Sequence, residues 1–291
     1  MTAMEVTETP SLAATFFRAL GTGAKRPGEV DALPQVELVL PHVELNAQHI
    51  GQYSALCGFK TDQGVPLIYP QLLTFPLVTA YMCSDACPWP AMGTVHLANR
   101  IEQHAVLHAG DGVRVEMATG DLFAHEKGQV FTLNLRILRG GELVWSATQS
   151  LLRVGVAQKS GAAYASEIVA EAPLSCQAEF LAPADMGRRY GAVSGDRNPI
   201  HLTAMTAKLF GFKRAIAHGM WTQARALSCL LPPQPLEQAS LDVEFKTPLY
   251  LPGRATLWSA RAQTGALFEV RDAKGTKPHL RGQLRYGPSL I

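Results

Sequence analysis

The sequence predicts an α+β chain made of two similar units, each a curved antiparallel sheet wrapped around a central helix. Three observations predict it. Strands come in hairpin pairs that close each half, an internal repeat relates the halves, and each half holds a helix-length segment with almost no polar face. A helix of that kind has no side to give to water and must be enclosed, which a strongly curved sheet can do. The composition agrees: of 291 residues 47% are hydrophobic and only 17% charged, against roughly 25% charged in an average domain. Such a chain is not disordered. A net charge of +2 supplies no basic stripe for nucleic acid.

Residues 1–35 stand outside the repeat as an N-terminal extension, with Ser11–Leu20 expected as an amphipathic surface helix before a Gly/Pro/Lys linker. The opening ten residues carry two glutamates and no basic cluster, so no secretory signal is expected there. The closing Pro288-Ser289-Leu290-Ile291 is not a Ser-Lys-Leu address. The expected location is the cytoplasm.

The first unit is placed at 36–158. Its run Gln63–Ser84 is uncharged and nearly long enough to span a bilayer. Pro66, Pro70 and Pro76 are expected to break it into short pieces, since proline costs a helix interior roughly 3 kcal/mol. The run is therefore read as buried core, with Leu77–Cys83 as its helical part, and no membrane span is expected. Val130–Leu138 and Leu143–Val154 form a hairpin around Gly140-Gly141, with one face buried. The five cysteines are an odd number in a chain large enough to build its own core, which argues against a disulfide framework. Cys83 and Cys87 have metal-like spacing but lack a second Cys/His pair nearby, so no metal site is expected.

The second unit, 159–291, repeats the plan. Tyr53–Gly58 aligns with Tyr190–Gly195, and His96–Gly110 with Ser240–Gly253, a strand followed by a short connection to glycine. Met220–Leu231, whose only charge is Arg225, is the enclosed helix. Ala255–Arg261, Leu267–Arg271 and Leu280–Tyr286 are its closing strands, with a turn at Asp272–Gly275.

Chemistry concentrates in Tyr190-Gly-Ala-Val-Ser-Gly-Asp-Arg-Asn-Pro-Ile-His201 and Ala215-Ile-Ala-His-Gly-Met220. Taken singly, Asp196 or Asn198 would start a turn or cap a helix, and His201 and His218 would be satisfied polar residues. Together they place a carboxylate, an amide and an imidazole on one constrained turn. Beside them Gly219 opens the enclosed helix, where backbone N–H groups lack intrahelical acceptors. Donors so placed can hold a developing oxyanion. An acid/base pair next to them suits a reaction that passes through a thioester enolate.

These segments resemble the signature of the MaoC-like dehydratases, the (R)-specific 2-enoyl-CoA hydratase (hydratase 2) group. The resemblance covers nearly the whole chain as a double hot-dog fold, with the motif in the second half alone. It implies that Asp196 and His201 form the catalytic pair, that Asn198 supports them, and that the Gly219 N–H binds the thioester oxygen. It also implies an acyl-CoA or acyl-carrier-protein thioester as substrate, and no metal or redox cofactor. His218, Lys208, Lys213 and Arg214 are the candidates for substrate contact, the three cations for phosphates.

In the first half Phe59 stands where Asp196 stands, and Thr74-Phe75-Pro76-Leu77 replaces Ala217-His218-Gly219-Met220. Pro76 has no N–H to offer. This half is expected to give room to an acyl chain instead, with Leu67–Cys83 either a tunnel wall or ordinary core. Two alternatives stay open, a hot-dog thioesterase using Asp196 and a non-catalytic acyl-thioester binding protein. Release of a free thiol distinguishes hydrolysis from hydration. A homodimer of the whole chain is compatible with the internal pairing.

Overall fold

The computed structural model describes residues 4–5, 21–25, 28–60, 64–156, 161–166, 168 and 171–287. The expected helix at Ser11–Leu20, the 158/159 boundary and the last four residues lie outside them. The chain divides into two compact units: Met1–Glu44, Pro70–Ile101 and Asp111–Glu167 in one, Leu45–Tyr69, Glu102–Gly110 and Ile168–Ile291 in the other.

In the first unit, β1 (Met4–Glu5), β2 (Glu37–Glu44), β3 (Thr94–Gln103), β4 (Gly112–His125), β5 (Gly128–Arg139) and β6 (Glu142–Val154) lie in the order β1-β2-β4-β5-β6-β3. β7 (Ala162–Ala163) pairs in parallel with β4. The β5/β6 hairpin turns at Gly140 and Gly141, with φ of 60° and 90°. Two successive positive φ values favour glycine and match the twist of the paired strands.

The one-sided burial expected of that hairpin holds only from Leu133 onward, since Gly128 to Leu133 is buried throughout. Residues before β2 cover the outer face there. Gln129 donates from Nε2 to Val30 O at 2.7 Å and accepts from Val30 N at 3.2 Å. Thr119 Oγ1 donates to Pro34 O at 2.9 Å. The described end of the N-terminal extension is thus part of this unit's packing.

The uncharged run departs from the expectation at Pro76 alone. Pro66 precedes the helix and Pro70 opens it, but Pro70–Cys83 is one helix with Pro76 in its interior. Burial of Leu77, Val78, Tyr81 and Met82 on the face toward β2, β4 and β5 offsets the lost hydrogen bond. The opposite stripe, Leu72, Phe75, Pro76 and Thr79, is half-buried and largely apolar. No helix among the described residues is long and apolar enough to cross a membrane.

The second unit carries β8 (Ser175–Ala182), β9 (Ala239–Phe245), β10 (Gly253–Ala262), β11 (Gly265–Asp272) and β12 (Pro278–Tyr286), ordered β9-β12-β11-β10-β8 and antiparallel throughout. Five helices belong with it, which we number with the helix just described in chain order: α1 (Ala47–Cys57), α2 (Pro70–Cys83, in the first unit), α3 (Met186–Ser194), α4 (Pro199–Leu202), α5 (Ala204–Lys208) and α6 (Gly219–Leu230). α6 is the enclosed helix, burying Trp221, Thr222, Gln223, Ala224, Ala226, Leu227 and Leu230. Its one charge is accommodated locally: Arg225 donates from Nη1 to Cys57 O at 3.2 Å and Ser228 Oγ at 2.7 Å. A helix within a curved antiparallel sheet, met in both units, is the hot-dog arrangement that the resemblance implies.

Candidate active site

The site is built at the end of α3. That helix stops at Gly195, φ 78°, in the left-handed region where glycine meets no Cβ penalty. α1 ends in the same way at Gly58, φ 83°, with Tyr53 and Tyr190 buried at matching positions, their rings 6.3 Å apart. The aligned repeat is therefore a repeated helix stop, followed by Phe59 in one copy and Asp196 in the other.

Past Gly195 the chain is held by short polar side chains. Asp196 accepts from Asn198 N at Oδ1, 3.1 Å, and its own N–H donates to Ser194 Oγ at 3.2 Å. Asn198 caps α4, its Oδ1 accepting from Ile200 N at 3.3 Å, with Pro199 opening the helix. His201 follows within that short helix, its N–H donating to Asn198 O at 3.0 Å. The modest reading of Asn198 and the supporting one are the same fact: the cap fixes the backbone that presents His201.

The two histidines have defined tautomers. His201 Nδ1 stands 2.8 Å from Ile216 O, and His218 Nε2 2.9 Å from Asp196 O. A carbonyl oxygen only accepts, so each of these nitrogens carries the hydrogen. His201 Nε2 is left with its lone pair. Burial lowers the pKa of His201. It pushes His218 down to about 3, helped by His201 and opposed by Asp196. Both rings are therefore neutral near pH 7, and they stack with centroids 3.7 Å apart. His218 is placed behind the pair: it is 3% exposed, at 4.9 Å from the Tyr190 ring, and holds Asp196 by its backbone.

Asp196 is the accessible member, its side chain 33% exposed, with Oδ2 3.7 Å from His218 Nε2. One carboxylate oxygen of Asp196 and one nitrogen from each histidine lie within 4.8 Å of one another. Polar atoms no farther apart than that can be bridged by one water, each at about 2.8 Å.

Gly219 is the exposed first residue of α6, directly after His218. Its N–H is among those that no helix carbonyl can reach. A Cβ on Gly219 would meet the Phe245 ring at 2.8 Å, so the residue is held to glycine by packing. In α2 the first residue, Pro70, has no N–H at all, and Pro76 lies a further turn and a half along. The correspondence of Pro76 with Gly219 is thus displaced within the helix, but the α2 start still lacks its first donor.

Lys208, at the end of α5, and Lys213 and Arg214, in the loop before α6, are exposed. Arg214 lies over the Tyr250 ring at 5.6 Å. Two residues escaped the sequence reading. A Cβ at Gly187 would stand 1.8 Å from His201 O, so only glycine admits the His201 backbone against α3. Gln223, one turn beyond Gly219, is fully buried. Neither carries a local signal, because the partner of each is distant in sequence or simply the core.

Comparisons with known proteins bear on the family and the fold. A family model described as MaoC like domain matches residues 164–250. The chain is 30% identical over 277 residues to 3-hydroxyacyl-thioester dehydratase X of Mycobacterium tuberculosis, covering 95% of this chain and 98% of that protein. The crystal structure of HtdX from the same organism superposes with a TM-score of 0.72 at 28% identity, over 86% of this chain and 100% of that one. A MaoC-like dehydratase from Phytophthora capsici gives 0.72 at 18% identity, over 88% and 96% of the two chains, a likeness of fold. The motif, the double hot-dog architecture and a relationship that runs the length of the chain together make this protein a member of the MaoC-like dehydratase family.

Proposed function

We propose that the protein catalyses the reversible syn hydration of a trans-2-enoyl thioester of coenzyme A or an acyl carrier protein to the (3R)-3-hydroxyacyl thioester, or the reverse dehydration. The observation that carries this reading is the closeness of the Asp196 carboxylate to the His201 ring, whose Nε2 keeps its lone pair, in the segment that leads to the α6 start at Gly219. One water lies between carboxylate and imidazole. The Gly219 N–H donates to the thioester oxygen, and the water oxygen bonds to the β-carbon as the C=C electrons move toward the carbonyl. The water's proton passes to the pair and a proton returns to the α-carbon on the same face, so that H and OH are added with no net change at the enzyme. Such acid–base assistance gives about 10²–10⁴-fold, and an oxyanion donor about 10²–10³-fold. Lys208, Lys213 and Arg214 supply cations for the phosphates of the carrier, and His218 orients Asp196.

Incubation with crotonyl-CoA, following enoyl-thioester absorbance together with a thiol reagent, tests the reading. Loss of absorbance without release of thiol, giving the (3R) product, is expected. Stoichiometric thiol release would make the protein a thioesterase, and no change at any chain length would remove the catalytic reading.

A further inference from the structure

The segment 197–236 has five basic residues and no aspartate or glutamate, in a chain whose net charge is only +2. Its exposed part joins charge to apolar surface. Met205 and Leu209 are 76% and 79% exposed, and Phe210 is at the border of exposure at 36%. Lys208, Lys213 and Arg214, within a few residues of them in sequence, are exposed as well, and Lys208 and Lys213 form no ion pair among the described residues. Arg188 Nη1 donates to Leu202 O at 3.1 Å, which brings a fourth exposed cation against the start of α5.

This surface is stiff. Thr203 and Thr206 cap α5 reciprocally, and Thr206 Oγ1 donates to Pro199 O at 2.7 Å. Beyond α5, Phe210 N and Phe212 N both donate to Ala207 O, at 3.0 and 3.1 Å. Two large side chains held about three-quarters exposed on a rigid element offer apolar area for a partner to cover. Phosphates of free coenzyme A would use the cations but have nothing to place on Met205 and Leu209. An acidic helical protein with apolar residues along the same face would use both. The segment has no acidic residue of its own to repel such a partner, and its cations attract one.

We infer that α5 and the loop after it, through Met205, Leu209 and Phe210 ringed by Arg188, Lys208, Lys213 and Arg214, dock an acidic acyl carrier protein that delivers the thioester to Asp196 and His201. This rests on the proposed hydratase/dehydratase reading and names its carrier. The surface starts three residues after His201 and shares its backbone frame through Pro199 and Thr206.

The test compares one acyl group, crotonyl, on holo acyl carrier protein and on coenzyme A, with wild type and with the Met205→Ser/Leu209→Ser double variant. At low salt the wild-type kcat/KM is expected to be at least about tenfold higher on the carrier-protein thioester, falling with salt as exposed charges are screened. The double variant is expected to lose that advantage, about tenfold, while its kcat/KM on crotonyl-CoA changes less than about twofold, which also shows that it folds. Equal activity of wild type on both carriers, or equal loss on both in the variant, overturns the docking surface and leaves the hydratase reading intact. Wild type inactive on both thioesters overturns the reading and the docking surface with it.

Discussion

Hydrogen bonds at the site decide which atom does what. Because Ile216 O takes the Nδ1 hydrogen of His201, the lone pair that can accept a proton is on Nε2. Because Asp196 O takes the Nε2 hydrogen of His218, that ring holds the loop and does not exchange protons near pH 7. His218→Gln should therefore lower kcat less than His201→Ala does. It should also change the acid stability. In the native state His218 stays neutral to about 3, whereas an unfolded histidine binds a proton near 6.5. Between those values the unfolded chain holds more protons, so the contribution of this residue is complete above about pH 6.5 and lost as pH falls toward 3, on the order of a few kcal/mol. Urea unfolding across pH 4–7 should show a shallower slope for His218→Gln than for wild type; an unchanged slope would contradict the buried neutral assignment. Gly187→Ala has a different mechanism. Its Cβ would overlap His201 O, so the variant should lose about 1–3 kcal/mol or more and displace the 196–201 loop, read as a lower midpoint together with lower kcat. The motif residues were legible in the sequence because their chemistry is local: a glycine stop, an Asx turn, a cap and a helix start within a few residues. Gly187 was not, since its reason is a backbone that returns fourteen residues later.

Among the elements, α6 and α2 contrast in how their ends and middles are made. α6 opens on a glycine whose N–H has no helix carbonyl to reach, and carries a half-buried arginine that donates to Cys57 O and Ser228 Oγ. α2 opens on Pro70 and contains Pro76, which the sequence alone reads as a break. Proline rules describe the cost of an isolated helix, and tertiary burial of Leu77, Val78, Tyr81 and Met82 outweighs it here. Pro76→Ala should then stabilise the protein by about 1–3 kcal/mol, part of the helix gain being returned through a freer unfolded chain. A rise in melting temperature with unchanged kcat is the expected result; a fall would mean that the ring itself packs irreplaceably. The hairpin β5/β6 was legible from its alternation and its Gly140-Gly141 turn. Its wholly buried first half was not, because the cover comes from Val30, about a hundred residues earlier.

At the scale of the molecule, the low charge follows from enclosing a helix in each of two sheet-wrapped units, and the duplicated plan was readable because both copies keep the same helix stops and closing hairpins. The units themselves interleave along the chain, with α1 grouped beside α3. Repeat alignment does not reveal that, since it orders segments by sequence and not by where they pack. The motif occurs in one copy. Gly195 leads to Asp196, Asn198 and His201, whereas Gly58 leads to Phe59, stacked on Tyr53 at 6.2 Å. Asp196→Asn keeps the shape and the backbone bonds of the turn while removing the carboxylate, which makes it the cleanest probe of the chemistry. The most direct measurement is the steady-state rate of crotonyl-CoA hydration for wild type and Asp196→Asn, each confirmed as folded by its thermal midpoint. A loss of about 10²-fold or more in kcat, at an unchanged midpoint, is the result predicted for an acid–base carboxylate; a variant that hydrates at the wild-type rate would contradict the assignment of the site.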